Sequence, residues 1–334
     1  MPMRPGPVLV VQTAFLGDVV LTTPLLSRLA ATHGPVDVVT TPAAAELVAT
    51  HPAVHQVIPY DKRGADRGIG GFRRLSERLA AGRYAGAYLP HRSWRSAALA
   101  WSAHIPERIG FDDSPAAILY SVRVPRPRGG HESSRILALA GPAKPGAAAP
   151  AVALALTEAD RAAAGAWLSA RGISGAFVAV APGSIWGTKR WPGYAELVQR
   201  IDGPIVVLGS EADAPLADQV AAAAPGRAHS AAGALTLRES AAMIEKATRL
   251  VTNDSAPLHL AMGVGTPVVA VFGPTAPSQG FGPIGSRSAV VEHRGLWCRP
   301  CSPHGPMTCP MGHHACMTSI GVGQVLAAVQ ATAR

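Results

Sequence analysis

The sequence predicts an α/β protein built as two doubly wound halves, each a parallel sheet with helices on both faces. Three observations carry this. Short apolar runs are continuous rather than alternating, as strands buried on both faces require. Helix-length stretches separate them regularly, which is the pattern of crossover connections. A proline-, glycine- and alanine-rich stretch at 141–150 interrupts the alternation once, and the alternation then begins again. At 334 residues the chain is long for one compact core and comfortable for two.

In the first half, Val8–Val11 reads as a buried opening strand. Gln12 and Asp18 interrupt the apolar stretch, which argues against a leader peptide. Further strands are expected at Val36–Thr40, Val54–Pro59, 85–89 and 108–110, with helices at 17–31, 42–50, 71–82 and 93–103. After the interruption, Thr157 with Glu158 and Asp160 offers the cap acceptor and negative charge that a helix start favours. Strands are then expected at 176–181, 204–208, Arg249–Asn253 and 267–272, and helices at 192–201, 212–223, 236–247 and 256–263. A cysteine-rich loop follows, and 322–332 reads as a last helix. The expected division is a domain over 1–155, a second over 156–320 and a closing helix in 321–334, with a cleft between two facing halves. In such sheets ligands bind beyond the carboxyl ends of the strands.

Composition narrows the partners. Hydrophobic residues make up 48% and aromatics only 5%, which suits helices laid on sheets and excludes a disordered chain. The net charge of +9 favours an acidic partner: nucleic acid, an anionic membrane face or a phosphorylated substrate. No basic run is dense enough to support nucleic-acid binding. No apolar run approaches the roughly 18 residues that span a bilayer, so a cytoplasmic location is expected.

Several motifs sit where strands end. Leu16-Gly17-Asp18 follows the first strand and leads through Thr22-Thr23-Pro24 into a helix. Gly17 permits a tight turn, but the three-glycine dinucleotide fingerprint is absent and nicotinamide binding is unsupported. Asp18 is either an acidic residue favouring a helix start or a carboxylate able to take a proton from an attacking hydroxyl. Pro182-Gly183-Ser184, with Thr188, Lys189 and Arg190, offers amides and cations to a phosphate. Asn253-Asp254-Ser255-Ala256-Pro257 joins a strand to a helix that carries His259, another place to grip a diphosphate. Glu211, after Leu208-Gly209-Ser210, is either a ribose ligand or an exposed cap acid. Phe272-Gly273-Pro274-Thr275 closes the last strand and is expected to wall the same cleft. Cys298, Cys301, Cys309 and Cys316 crowd beside His304, His313 and His314; this is either a structural zinc site or a set of reduced thiols packing a loop.

In their order and spacing these pieces resemble glycosyltransferase family nine, the ADP-heptose–lipopolysaccharide heptosyltransferases. The resemblance also takes in His51-Pro52, Val57-Ile58, Tyr60-Asp61-Lys62, Lys189-Arg190-Trp191-Pro192 and the cysteine pattern. It implies a GT-B fold and inversion at the anomeric carbon without an essential metal or cofactor. Asp18 would then be the general base and Lys189 the holder of the donor diphosphate. Ser184, Thr188, Arg190 and the 254–258 helix start, with Ser255, Ala256 and Pro257, would meet the phosphates. Glu211 would bind ribose, backbone near Leu235 the adenine, and Asp254 with His259 the sugar and phosphates. Ala256 stands where the family commonly has glycine, and its methyl narrows the approach to a phosphate.

On the acceptor side the resemblance implies a lipid A–Kdo/heptose acceptor, met by Thr22, Arg63, Arg92 and Arg95, and peripheral contact with the cytoplasmic face of the inner membrane. Two other functions remain compatible with the residues. One is a transferase or epimerase of another nucleotide sugar; the other is a nucleotide-sugar-binding protein without turnover.

Overall fold

The computed structural model describes residues 6–142 and 148–332. Part of the expected interruption, residues 143–147, lies outside them. The chain forms two compact units, Met1–Ala155 and Leu156–Arg334.

In the first unit β1 (Val8–Val11), α1 (Leu16–His33), β2 (Val36–Thr40), α2 (Pro42–Val48) and β3 (Val54–Pro59) come first. Then follow α3 (Gly68–Ala81), β4 (Gly86–Leu89), α4 (Trp94–Ser102), β5 (Glu107–Phe111), β6 (Val122–Val124) and α5 (Glu132–Leu137). The strands form one six-stranded sheet in the order β3-β2-β1-β4-β5-β6, every pair parallel. The chain runs outward from β1 to β3, then returns to lay β4 on the other side of β1. Such a reversal, here between β1 and β4, is where doubly wound sheets characteristically open a crevice for ligands.

The second unit contains α6 (Glu158–Ser169), β7 (Val178–Ala181), α7 (Tyr194–Arg200), β8 (Ile205–Val207), α8 (Ala214–Ala222) and β9 (Ala228–Ser230). It continues with α9 (Leu237–Lys246), β10 (Arg249–Asn253), α10 (Ala256–Val264), β11 (Val268–Phe272), β12 (Ala289–Glu292), α11 (Ala315–Thr318) and α12 (Val322–Ala331). Its parallel sheet has the order β12-β11-β10-β7-β8-β9, the same winding with the reversal between β7 and β10. Helix α12 does not stand apart: Val325 and Val329 are buried in the core that also holds Trp191 and Tyr194.

Central strands are buried along their whole length, as in β1, β4, β7 and β11, which is why their sequences are unbroken apolar runs. Three edge strands, β6, β9 and β12, were not among the expected ones. Their sequences, VRV, AHS and AVVE, are short and only partly buried, so they lack that signal. Helix α5 was also unexpected, being a single short stretch after a Pro/Gly-rich loop.

Local chemistry explains the first helix. Pro24 lies inside α1 and leaves the Val20 carbonyl without its helical N–H. The Thr23 hydroxyl donates to that carbonyl at 2.8 Å and repairs the ladder. At α6 the expected cap is present: Thr157 Oγ1 accepts from Asp160 N at 3.3 Å, and Asp160 Oδ2 accepts from Thr157 N at 2.6 Å. No helix among the described residues is long and apolar enough to cross a membrane.

Candidate active site

In the second unit the expected anion-binding residues gather at the carboxyl ends of β7 and β10, the two strands that flank the reversal. Asn253, fully buried at the end of β10, ties the two ends together. Its Nδ2 donates to the Pro182 carbonyl at 2.8 Å, and its Oδ1 accepts from Trp191 N at 3.2 Å and the Tyr194 hydroxyl at 3.0 Å. That brace delivers Lys189 to Asp254: Nζ donates to Oδ2 at 2.6 Å, and both side chains are buried. Thr275, from the turn after β11, donates to the same oxygen at 2.6 Å. Asp254 is therefore the counter-ion that keeps the buried Lys189 satisfied.

Ser184 is buried and its Oγ accepts from Trp186 N at 3.2 Å. Ser255 caps α10 and its hydroxyl reaches toward the Gly183 carbonyl at 3.4 Å, with Ala256 and Pro257 forming the first turn of that helix. Glu211 and Leu235 do not join this cluster. They stand in the turns after β8 and β9, along the same edge of the sheet, Glu211 exposed and Leu235 half-buried. Gly183, after β7, packs closely on the turn after β8, where a Cβ on it would lie 2.5 Å from Asp213 Oδ1. His259 is buried inside α10, edge-on to Phe281 with centroids 6.3 Å apart.

Two donor-side expectations change. Arg190 is exposed and its Nε donates to the Ser184 carbonyl at 2.9 Å, so it braces the turn from outside. The Thr188 hydroxyl donates to the Pro306 carbonyl and is already engaged.

The zinc expectation also changes. Among the described residues no group of three or more His, Cys, Asp or Glu side chains is arranged to hold a metal ion. Burial, with the neighbouring thiols Cys301, Cys309 and Cys298, pushes the Cys316 thiol up to about 11, and Cys301 is raised by the same causes. The Cys301 thiol donates to the Cys298 carbonyl at 3.1 Å, and Cys309 Sγ accepts from His314 N at 3.4 Å. In this arrangement the cysteines pack the loop through these contacts.

That loop is tied to the site at several points the sequence did not reveal. His314 Nε2 donates to the Thr188 carbonyl at 2.8 Å, and Arg299 Nη2 donates to the Thr275 carbonyl at 2.6 Å. Trp191 Nε1 donates to the Ile320 carbonyl at 3.0 Å.

In the first unit Asp18 occupies the first turn of α1, where its Oδ2 accepts from Phe15 N at 3.1 Å. Burial lifts its carboxyl to about 6; Glu132 adds to the rise, and the Phe15 N–H and Arg126 oppose it. A carboxyl held there has the proton affinity that general-base chemistry near neutral pH requires. Glu132 is itself buried between Arg126 at 2.6 Å and Arg135 at 3.1 Å. Lys62, after β3, donates to the Thr13 carbonyl at 2.7 Å, which puts a cation at the same sheet edge. His91, after β4, is pushed down to about 4 by burial and by Lys62.

Of the expected acceptor contacts, Arg63 is exposed, Arg92 is held by the Asp113 carbonyl at 2.8 Å, and Arg95 reaches the Tyr60 hydroxyl at 2.9 Å. Thr22 is a correction. It is buried, accepting from Gln12 Nε2 at 3.1 Å and donating to the Asp18 carbonyl at 2.7 Å, so it shapes the helix start and is not open to a ligand. A separate cavity of about 450 Å³ lies between Tyr84, His104 and Pro106, before β4 and β5 begin. That is the amino-terminal edge, the wrong end for a ligand in a doubly wound sheet.

Two successive parallel six-stranded sheets, each doubly wound about a reversal between its central strands, are the architecture of a GT-B glycosyltransferase. Residues 72–313 match glycosyltransferase family 9 (heptosyltransferase), and the chain belongs to that family. It is 27% identical over 307 residues to lipopolysaccharide heptosyltransferase 2 of Salmonella typhimurium, covering 85% of this chain and 87% of that one. Among solved structures, a family 9 glycosyl transferase from Veillonella parvula superposes with a TM-score of 0.85 at 23% identity, covering 100% of this chain and 98% of the other. The E. coli ADP-heptose LPS heptosyltransferase II follows at TM-score 0.81 and 24% identity, covering 98% of each.

Proposed function

We propose that this enzyme transfers heptose from ADP-heptose to the inner core of lipopolysaccharide, inverting the anomeric carbon and needing no metal. The names of its relatives support the donor and acceptor classes. One observation carries the reading: the buried Lys189–Asp254 pair, 2.6 Å apart at the reversal of the second sheet, is a cation stored where a diphosphate would arrive. Strands lie about 4.8 Å apart, so the turns after β7, β8 and β9 span roughly 10 Å, the reach of a nucleoside diphosphate. The phosphates belong at Ser184, Lys189 and the α10 start, the ribose at Glu211 and the adenine near Leu235. Asp254 and His259 are assigned to the donor sugar.

In the reaction, the acceptor hydroxyl oxygen attacks the anomeric carbon and its proton passes to Asp18. The bond from that carbon to the diphosphate oxygen breaks, and the electron pair leaves with ADP. Lys189 and the amides at the α10 start stabilise the charge that develops. The first unit supplies the base and the second the donor site. Arg63, Arg92 and Arg95, joined by Lys62, are assigned to the phosphorylated lipid A–Kdo/heptose acceptor at the cytoplasmic face of the inner membrane.

A donor panel of ADP- and UDP-sugars against heptose-deficient lipopolysaccharide, followed by linkage analysis, tests this. The expected result is ADP-heptose consumption only when acceptor is present. Preference for a UDP-sugar, conversion of donor without acceptor, or nucleotide binding with no turnover would each overturn it.

A further inference from the structure

The cysteine loop reaches further into the donor site than its packing role requires. Its segment 302–307 lies directly on the turn that carries Thr188 and Lys189. Thr188 N donates to the Pro306 carbonyl at 3.3 Å. Gly305 fits so closely that a Cβ would stand 3.4 Å from Lys189 Cγ and 3.0 Å from Pro274 Cγ. A Cβ on Gly187 would meet the Met307 carbonyl oxygen at 2.4 Å. Ser302 Oγ accepts from the N–H groups of His304 at 3.3 Å and Gly305 at 2.8 Å, which fixes the tip of the loop.

His304 is the side chain this tip delivers. Its ring stacks on Trp186, with centroids 6.2 Å apart and planes 9° from parallel. Among the charged groups that act on it are Lys189, from the turn after β7, and Asp254, from the end of β10. Burial and Lys189 hold the imidazole below its ordinary range, and Asp254 opposes them. The ring is therefore neutral near pH 7 while Lys189 is matched by Asp254. An arriving diphosphate adds negative charge beside it and reverses that balance.

We propose that His304 is a further contact to the nucleotide diphosphate, an imidazole that takes up a proton as the anion arrives and shares its charge with Lys189. The proton comes from solvent on binding and returns to solvent when ADP leaves. This inference rests on the nucleotide-sugar reading above and adds a residue and a protonation step to it.

Calorimetric titration with ADP from pH 5.5 to 8, in buffers of different ionisation enthalpy, tests it on the full chain. The comparison is wild type, His304→Gln and His304→Phe, with adenosine as the control ligand. His304→Phe keeps a ring to stack on Trp186 but has no nitrogen. Both variants should bind ADP about tenfold more weakly at pH 6 and take up fewer protons, with adenosine binding unchanged. Wild-type ADP affinity and proton uptake in either variant would overturn the inference and leave His304 as packing for Trp186. If the wild-type chain binds adenosine and ADP equally, the diphosphate contact is lost; if it binds neither, the nucleotide-sugar reading falls with it.

Discussion

Asp18 carries a charge that the fold resists. Its folded pKa of about 6 lies above the ordinary 3.8, so the fold binds this proton more tightly than the unfolded chain does. The stabilising contribution is complete below about pH 4 and is lost as pH rises through 6. Asp18→Asn removes the charge and keeps an acceptor for the Phe15 N–H. It should be more stable than wild type at pH 7.5 by about 1–3 kcal/mol and equal to it near pH 4, as read from urea midpoints. A stability difference independent of pH would remove burial as the source of the shift. The same ionisation predicts that transfer by the wild type falls as pH drops below 6.

Residues differ in how far the sequence exposed them. Asp18 and Lys189 could be singled out because each sits just after a strand, where a doubly wound sheet presents its loops, although the sequence left a helix-start role open for Asp18. Asp254 was legible as a site residue, but its purpose was not, since only the fold brings it to Lys189. Glu132 carried no local signal, Lys62 stood out only as part of a family segment, and His304 only as a neighbour of the cysteines. Lys62 and His304 meet partners far away in the chain, Thr13 and Trp186.

Among the elements, central strands were readable, as was the six-residue edge strand β3, whereas the short edge strands β6, β9 and β12 were not. A strand buried on both faces must be apolar throughout, whereas an edge strand such as β6 needs only a few backbone hydrogen bonds. The cysteine loop shows the opposite difficulty: its signal was strong but its meaning was not. Clustered cysteines and histidines suggest zinc, yet no group of three or more among the described residues is arranged to hold a metal ion, and the loop is fixed by Arg299, His314 and Pro306. Metal analysis of purified protein should therefore find less than about a tenth of a zinc per chain, and a chelator should not shift the melting temperature. Close to one zinc per chain would contradict this.

At the scale of the molecule, both units wind their sheets in the same order, with the proposed chemistry at each reversal. The repeated alternation on either side of residues 141–150 made this architecture legible. Side-chain identity at the reversals then divides the labour: the first unit carries an acid with a raised pKa, and the second carries a stored cation. The most direct test measures ADP affinity and heptose transfer together in Asp18→Ala and Lys189→Ala. Asp18→Ala should bind ADP within about twofold of wild type and lose about 100- to 10,000-fold in transfer, whereas Lys189→Ala should lose both. Normal turnover in Asp18→Ala would contradict the division of labour between the units.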